Sequence, residues 1–297
     1  MIYARKMIAK DSSWIKNNSD IAQTTFDRSN QRYYQFKPYF NRRDGKPSWQ
    51  WEFLAAAEDT WGRVVYSANR AGKSDIGAYE AVLAVTGEHP FKKYPKKGIG
   101  WCIGKDLKIT KNVDIKKFES LLPNTYKTPP SGFRKQDSVW YCKNESAGRE
   151  WEVHFRTAEA GRAAFQGDSI DFAWFDEEPM PTKQDVWTEV ITRLADRKGN
   201  WWMTATPVLG TVWLKNLINS DGVKGFTAAM IDNPYIPKEE IEKLRAAYTE
   251  EEVEIRLEGR YVVFGGKPVF RTTVLTKMME EIKADKPAKY GALREVA

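Results

Sequence analysis

Two short stretches about a hundred residues apart carry side chains that could act together on a polyphosphate: Gly72-Lys73-Ser74, closing SANRAGKS at 67–74, and Asp176-Glu177-Glu178, within IDFAWFDEEP at 170–179. A lysine in that place can reach β- and γ-phosphates, and a serine hydroxyl beside it can ligate Mg²⁺. The turn residues Ser67, Ala68, Asn69, Arg70, Ala71 and Gly72 would wrap the phosphates with backbone N–H groups. The spacing fits G-x-x-x-x-G-K-[ST] except that Ser67 stands where the first glycine is expected. Serine prefers φ below zero, so the turn must be entered differently. On the acidic side, Asp176 suits the hydration shell of a Mg²⁺ ion and Glu177 suits a general base that orients and polarises water. An acidic turn after a core strand is the plainer alternative for that pair.

These groups work only if particular elements deliver them. Val64-Val65-Tyr66 predicts a strand entering the turn, and 75–85 predicts the helix leaving it, the strand–loop–helix context the motif requires. Phe172 to Phe175 form an apolar run of the buried parallel type, ending where open α/β sheets bind ligands. NWWMTATP at 200–207 predicts a further strand whose exit carries Thr204 and Thr206, two hydroxyls able to sense a γ-phosphate. A helix is expected over 49–57. It holds Gln50, which is either an adenine-reading amide or an exposed helix glutamine.

The intervening chain reads as scaffold. A strand is expected over 99–103 and a helix over 110–122, with Lys105, Lys108, Lys111, Lys116 and Lys117 along it as a solvated face or a DNA-tracking stripe. Pro129-Pro130-Ser131-Gly132 breaks the chain, and two strands over 139–142 and 151–155 follow, joined by a turn. His154 alternates with apolar neighbours there and reads as structural. Cys102 and Cys142 lie in apolar runs far from both histidines, which argues for reduced core thiols and against a zinc site.

With 297 residues, 41% hydrophobic content and twelve tryptophans, the composition is that of a globular chain. No apolar run approaches a membrane span, and the first residues lack a signal-peptide core, so a soluble, unexported protein is expected. The formal charge of +7 fits a polyanionic partner without requiring one.

SANRAGKS, FQGDSIDFAWFDEEP and TATPVLGTVW together resemble the ATPase domain of tailed-bacteriophage large terminase subunits, over about residues 49–270. The resemblance implies ATP and Mg²⁺ as ligands, Arg70 on the γ-phosphate, Glu177 as catalytic glutamate and Thr204 to Pro207 as the coupling motif. It also implies double-stranded DNA, a portal protein and a small terminase subunit as partners. An active homo-oligomeric ring, a pentamer, would dock on the procapsid portal in the host cytoplasm. Many terminases carry Arg-Gly shortly before the acidic strand, where this chain has Gln166-Gly167. Glutamine supplies no cation, so Arg162 is the substitute candidate for a trans-acting finger, with Arg156 and Arg193 behind it.

The expected fold is an α/β P-loop NTPase of the additional-strand type, a mostly parallel sheet flanked by helices, with another strand between those leading to Lys73 and Asp176. Residues 1–45 would form an arm or lid and 46–220 the ATPase core. A small helical lid would occupy 221–264, with helices near 238–247 and 250–257, and 265–297 would lead towards an absent nuclease. Thirty-odd residues cannot house a nuclease sheet, so either a truncated form or a separately made subunit is expected. Another nucleic-acid motor such as a helicase, and a nucleotide-binding assembly module, are the competing readings.

Overall fold

The computed structural model describes residues 31–38 and 48–261. Within them lies an eight-stranded sheet made of β1 Gly62–Tyr66, β2 Lys97–Gly104, β3 Gly132–Arg134, β4 Val139–Asn144, β5 Arg149–Thr157, β6 Phe172–Asp176, β7 Asn200–Ala205 and β8 Val223–Phe226. Its order is β3-β4-β5-β2-β6-β7-β1-β8. The strands from β5 to β8 in that order run parallel, and β3, β4 and β5 form an antiparallel flank. β7 lies between β1 and β6, which makes this the additional-strand form of the P-loop fold.

The parallel strands read as unbroken apolar runs because both faces are covered. Every residue of β6 and β7 is buried. On one face the helix Lys73–Thr86 and the segment ending in the helix Ile115–Leu121 pack Ile76, Val82, Phe118 and Leu121 against Trp174 and Trp202. On the other, the helix Gln184–Ala195 packs Val186, Val190 and Leu194 against Phe175 and Trp201. Cys102 and Cys142 are buried and free of any disulfide.

Four features depart from the sequence-based expectations. The helix expected over 110–122 begins at Leu107–Ile109, capped by Asp106, and passes through a π-turn at Thr110–Asp114 before Ile115–Leu121. Beyond the proline break, Gly132–Arg134 adds strand β3. Within the lid expected from 221, Val223–Phe226 is instead the edge strand β8 on β1; at four residues with a central glycine it is too short to show a strand pattern. The helices Lys238–Ala247 and Glu250–Glu252, the latter continuing into a π-turn Val253–Leu257, follow it. Of the expected arm, residues 32–35 form a short helix whose Tyr33 is buried and donates to Glu88 (2.8 Å), while Arg32 pairs with Asp75 (2.6 Å). Residues 1–30 and 39–45 of that arm, Tyr39 and Phe40 among them, and the stretch 265–297 lie outside the described residues. Among the described residues no helix is long and apolar enough to cross a membrane.

A buried polar network clamps the Lys73–Thr86 helix to β1. Arg63 of β1 donates to Glu80 (2.7 Å), which also bonds His89 (3.0 Å) and Tyr94 (2.9 Å). Burial alone would push the Glu80 carboxyl up; Arg63 and then His89 overcome it and hold it well below the usual carboxylate range. Glu80→Ala leaves the Arg63 guanidinium buried and unpaired, so unfolding by denaturant should show a loss of about 3–5 kcal/mol. The stabilisation from a depressed carboxyl is full above its unfolded value and fades as pH falls towards the folded one. The gap between wild type and variant should therefore narrow below about pH 4. A loss under about 1 kcal/mol at neutral pH would show that the network does not clamp the helix.

Candidate active site

β1 does not end at Tyr66 in hydrogen-bonding terms: the Ser67 N–H donates to the Ala205 carbonyl (3.1 Å), continuing the β1–β7 ladder. Ala68 then donates to Ala228 (2.9 Å) and Asn69 to Arg256 (2.9 Å). The first half of the turn is thereby tied to the chain that follows β8, and Ala68 and Ala71 share a small apolar cluster with Met230, Ile241 and Leu257. This narrows the expected cradle, because the N–H groups of Ser67, Ala68 and Asn69 are already spent. The turn reverses at Arg70 (φ 55°) and Gly72 (φ 90°), both left-handed, leaving residues 70–74, which run into the first helical turn, as the stretch whose N–H groups can serve an anion. Ser67 itself lies outside the left-handed region, and its buried hydroxyl finds no partner among the described residues.

Gln50 is buried rather than exposed, and its Nε2 donates to the Gly72 carbonyl (3.1 Å). A Cβ on residue 72 would sit 2.8 Å from that nitrogen, so glycine serves both the backbone angle and the close approach. Beside this brace opens a cleft of about 240 Å³, lined by Arg32, Phe36, Gln50, Gly72, Asn233 and Tyr235 among others.

The two chemical stretches meet. Ser74 Oγ donates to Asp176 Oδ1 (2.9 Å), and Lys73 Nζ lies 3.4 Å from Glu177 Oε1. Thr204 and Thr206 divide their tasks. The Thr204 hydroxyl accepts from Trp174 Nε1 (2.8 Å) and gives its single proton to Asp176 Oδ1 (2.6 Å), so it has none left for a phosphate. Thr206 instead joins Glu177 to the turn: its N–H donates to Glu177 Oε2 (2.9 Å) and its hydroxyl to Asn69 Oδ1 (3.1 Å). Glu177 adopts φ 73°, a left-handed backbone that costs a non-glycine residue about 1–2 kcal/mol, and its N–H is tied to the Thr204 carbonyl (2.8 Å). Burial raises the Glu177 carboxyl above its ordinary range, opposed by Lys73 and reinforced by Asp176. The third acid of the triplet, Glu178, is engaged by the Thr211 hydroxyl.

The arginines stand apart from this cluster. Arg70 is exposed, and its carbonyl accepts from Asn233 Nδ2 (2.6 Å). Arg162 opens a 3-10 turn, Arg162–Phe165, and its Nε bonds Glu189 (2.9 Å), the residue that Arg193 also pairs with. Arg156 stacks over Trp101, 4.3 Å from the ring centre. Sequence reading missed Asn69 as a partner of Thr206, and it missed Asp114 altogether. Asp114 is fully buried, and burial together with Asp176 and Glu177 pushes its carboxyl up to about 10. The available signal was its place on the apolar stripe with Phe118 and Leu121, at helical spacing.

Ser74, Asp176 and a nucleotide's phosphates are the donor set Mg²⁺ takes when it keeps several waters, so the residues present fit that ion. Among the described residues no group of three or more His, Cys, Asp or Glu has the placement of a metal site made of protein ligands alone.

The family model described as terminase large subunit, T4likevirus-type, N-terminal, matches residues 64–276. The chain belongs to this family. It is 28% identical over 272 residues to the terminase large subunit of Salmonella phage P22, an alignment covering 78% of this chain and 52% of that protein. The chain thus spans about half the length of that curated relative. Solved terminases share the fold. The large terminase of a thermophilic bacteriophage, in complex with ADP, superposes with a TM-score of 0.59 at 16% identity, covering 72% of this chain and 53% of that one. The ATPase domain of the Thermus phage P74-26 large terminase gives a TM-score of 0.54 at 18% identity, covering 68% and 89%.

Proposed function

We propose that this terminase chain hydrolyses ATP and uses the cycle to drive double-stranded DNA into a procapsid. The observation that carries the reading is the meeting of Lys73 with Glu177 and of Ser74 with Asp176 beyond the C-terminal ends of β1 and β6, parallel strands with β7 between them. Complexes of the thermophilic phage's large terminase with ADP and with ATP-γ-S support ATP as the ligand. The N–H groups of residues 70–74 and the Lys73 ammonium hold the phosphates, and the cleft beside Gln50 takes the nucleoside. Ser74 and Asp176 would hold Mg²⁺, which supplies charge neutralisation between the phosphates. Glu177 orients water in line with the γ-phosphorus and takes its proton as the new P–O bond forms, while the bond to the bridging oxygen breaks and ADP leaves with that electron pair.

Thr206 and Asn69 would carry the change at the γ-phosphate to the turn, and the contacts of Ala68 and Asn69 with Ala228 and Arg256 would pass it to the helices after β8, acting as a lid. Arg70 would meet the γ-phosphate. Arg162, whose side chain is 60% exposed, would leave Glu189 to enter the site of the next subunit in a ring, a pentamer docked on the portal with the small terminase subunit. The setting is the host cytoplasm.

The test is ATP turnover with and without linear double-stranded DNA across a salt series. Turnover should rise with DNA, and the rise should collapse between about 50 and 200 mM salt as phosphate contacts are lost. Turnover indifferent to DNA at low salt would remove the motor reading, and strand separation by the protein alone would replace it with a helicase.

A further inference from the structure

Asp114 closes the π-turn Thr110–Asp114, a feature frequent at functional sites. It is fully buried, and neither of its carboxylate oxygens receives a hydrogen bond among the described residues. A carboxyl buried with both oxygens left without a donor is under-satisfied within the chain, which leaves them for a partner from outside it. The turn is pinned in place by Thr110, whose hydroxyl shares its single proton between the carbonyls of Asp106 (2.9 Å) and Arg156 (3.1 Å).

The carboxylate lies over the end of β2. Gly104 pairs in register with Asp176, so the two residues present the same face of the sheet, and a Cβ on residue 104 would come within 2.6 Å of Asp114 Oδ2. Glycine at that strand end makes room for the Thr110 hydroxyl first and then for the acid beside Asp176. The charged neighbours of Asp114 are Asp176 first, within side-chain hydrogen-bonding reach, then Glu177 and Lys117. Lys117 is bound to Asp75 (2.7 Å), and Lys73 faces Glu177 (3.4 Å). Asp114 and Asp176 therefore lie side by side, Glu177 acts on Asp114 through space, and neither nearby lysine ammonium is committed to Asp114 or Asp176.

We propose that Asp114 is a positioning residue of the divalent-cation centre, accepting hydrogen bonds from the water shell of the ion held by Ser74 and Asp176. The inference rests on the nucleotide-binding reading above and deepens it. An outer-sphere role agrees with the absence, among the described residues, of a metal cluster built from protein ligands alone.

The test uses the full 297-residue chain and Mn²⁺ as probe, its binding followed by electron paramagnetic resonance with saturating ADP. ADP binding in chelator is measured by calorimetry alongside. Asp114→Asn should weaken Mn²⁺ binding by about ten- to a hundredfold, the range for outer-shell partners of a metal, with metal-free ADP affinity unchanged. Its melting temperature without metal should not fall, because an amide of the same size replaces a carboxyl whose oxygens have no donor in the metal-free chain. Gly104→Ala, which crowds the carboxylate and the Thr110 that starts its turn without deleting the acid, should weaken Mn²⁺ in the same direction and decides the matter if the asparagine variant does not fold. Unchanged Mn²⁺ affinity in either folded variant overturns the proposal, as does a lowered melting temperature with Mn²⁺ binding intact. If wild type itself binds no Mn²⁺ with ADP, the nucleotide reading falls and takes this one with it.

Discussion

Glu177→Gln should abolish hydrolysis while sparing nucleotide binding, with turnover down by about 10²- to 10⁴-fold, the contribution of a positioned general base. The amide keeps the size of the carboxylate and can still accept from the Thr206 N–H, now 2.9 Å from Oε2, so the turn after β6 should hold its left-handed bend. What disappears is the base. The 3.4 Å approach of Lys73 also loses its charge partner, which frees the ammonium for phosphate, so affinity for ATP-γ-S should hold or rise. Turnover by single-turnover kinetics and affinity by calorimetry separate these effects. Hydrolysis reduced less than about tenfold would mean that another group takes the proton, and Glu177 would be left as a structural partner of Thr206.

Lys73→Ala should act on binding and chemistry together. The side chain is almost wholly buried, at 8% exposure, and its ammonium is the cation that faces Glu177. In the proposed complex the ammonium meets phosphate oxygens, and truncating one partner of such a charge pair costs about 2–5 kcal/mol, so affinity for ADP and ATP-γ-S should fall by roughly thirtyfold or more and turnover should fall below detection. Thermal unfolding of the nucleotide-free protein should change little, because the helix remains anchored through Glu80 to Arg63 and through Trp202 Nε1 to the Gly77 carbonyl (3.1 Å). Nucleotide affinity within about threefold of wild type would show that phosphate is held elsewhere on the molecule.

Gln50 and Arg162 show how far side-chain type alone reaches. For Gln50, position in an amphipathic stretch could not tell a reader of adenine from a surface amide, because burial depends on what packs from distant chain. The fold puts it against Gly72. For Arg162, side-chain type offered a cation near Gln166, but its ion pair with Glu189 depends on the Gln184–Ala195 helix, which local spacing does not describe. The edge strand β8 escaped notice for a related reason. Four residues carry too little periodicity, and its identity comes from hydrogen bonds to β1.

What the sequence by itself determined were the strands and the chemistry at their ends. FAWFD and NWWMTA are apolar throughout because both faces of a central parallel strand are covered, and Gly72-Lys73-Ser74 needs only local backbone geometry to form. What only the tertiary structure decided were the pairings between those ends: Ser74 with Asp176, Lys73 with Glu177, Thr206 with Asn69, and Asp114 over Gly104. Strand order sets these, since each joins residues carried on different strands and turns, and the position of β7 between β1 and β6 is fixed by hydrogen bonding and core packing across the whole sheet.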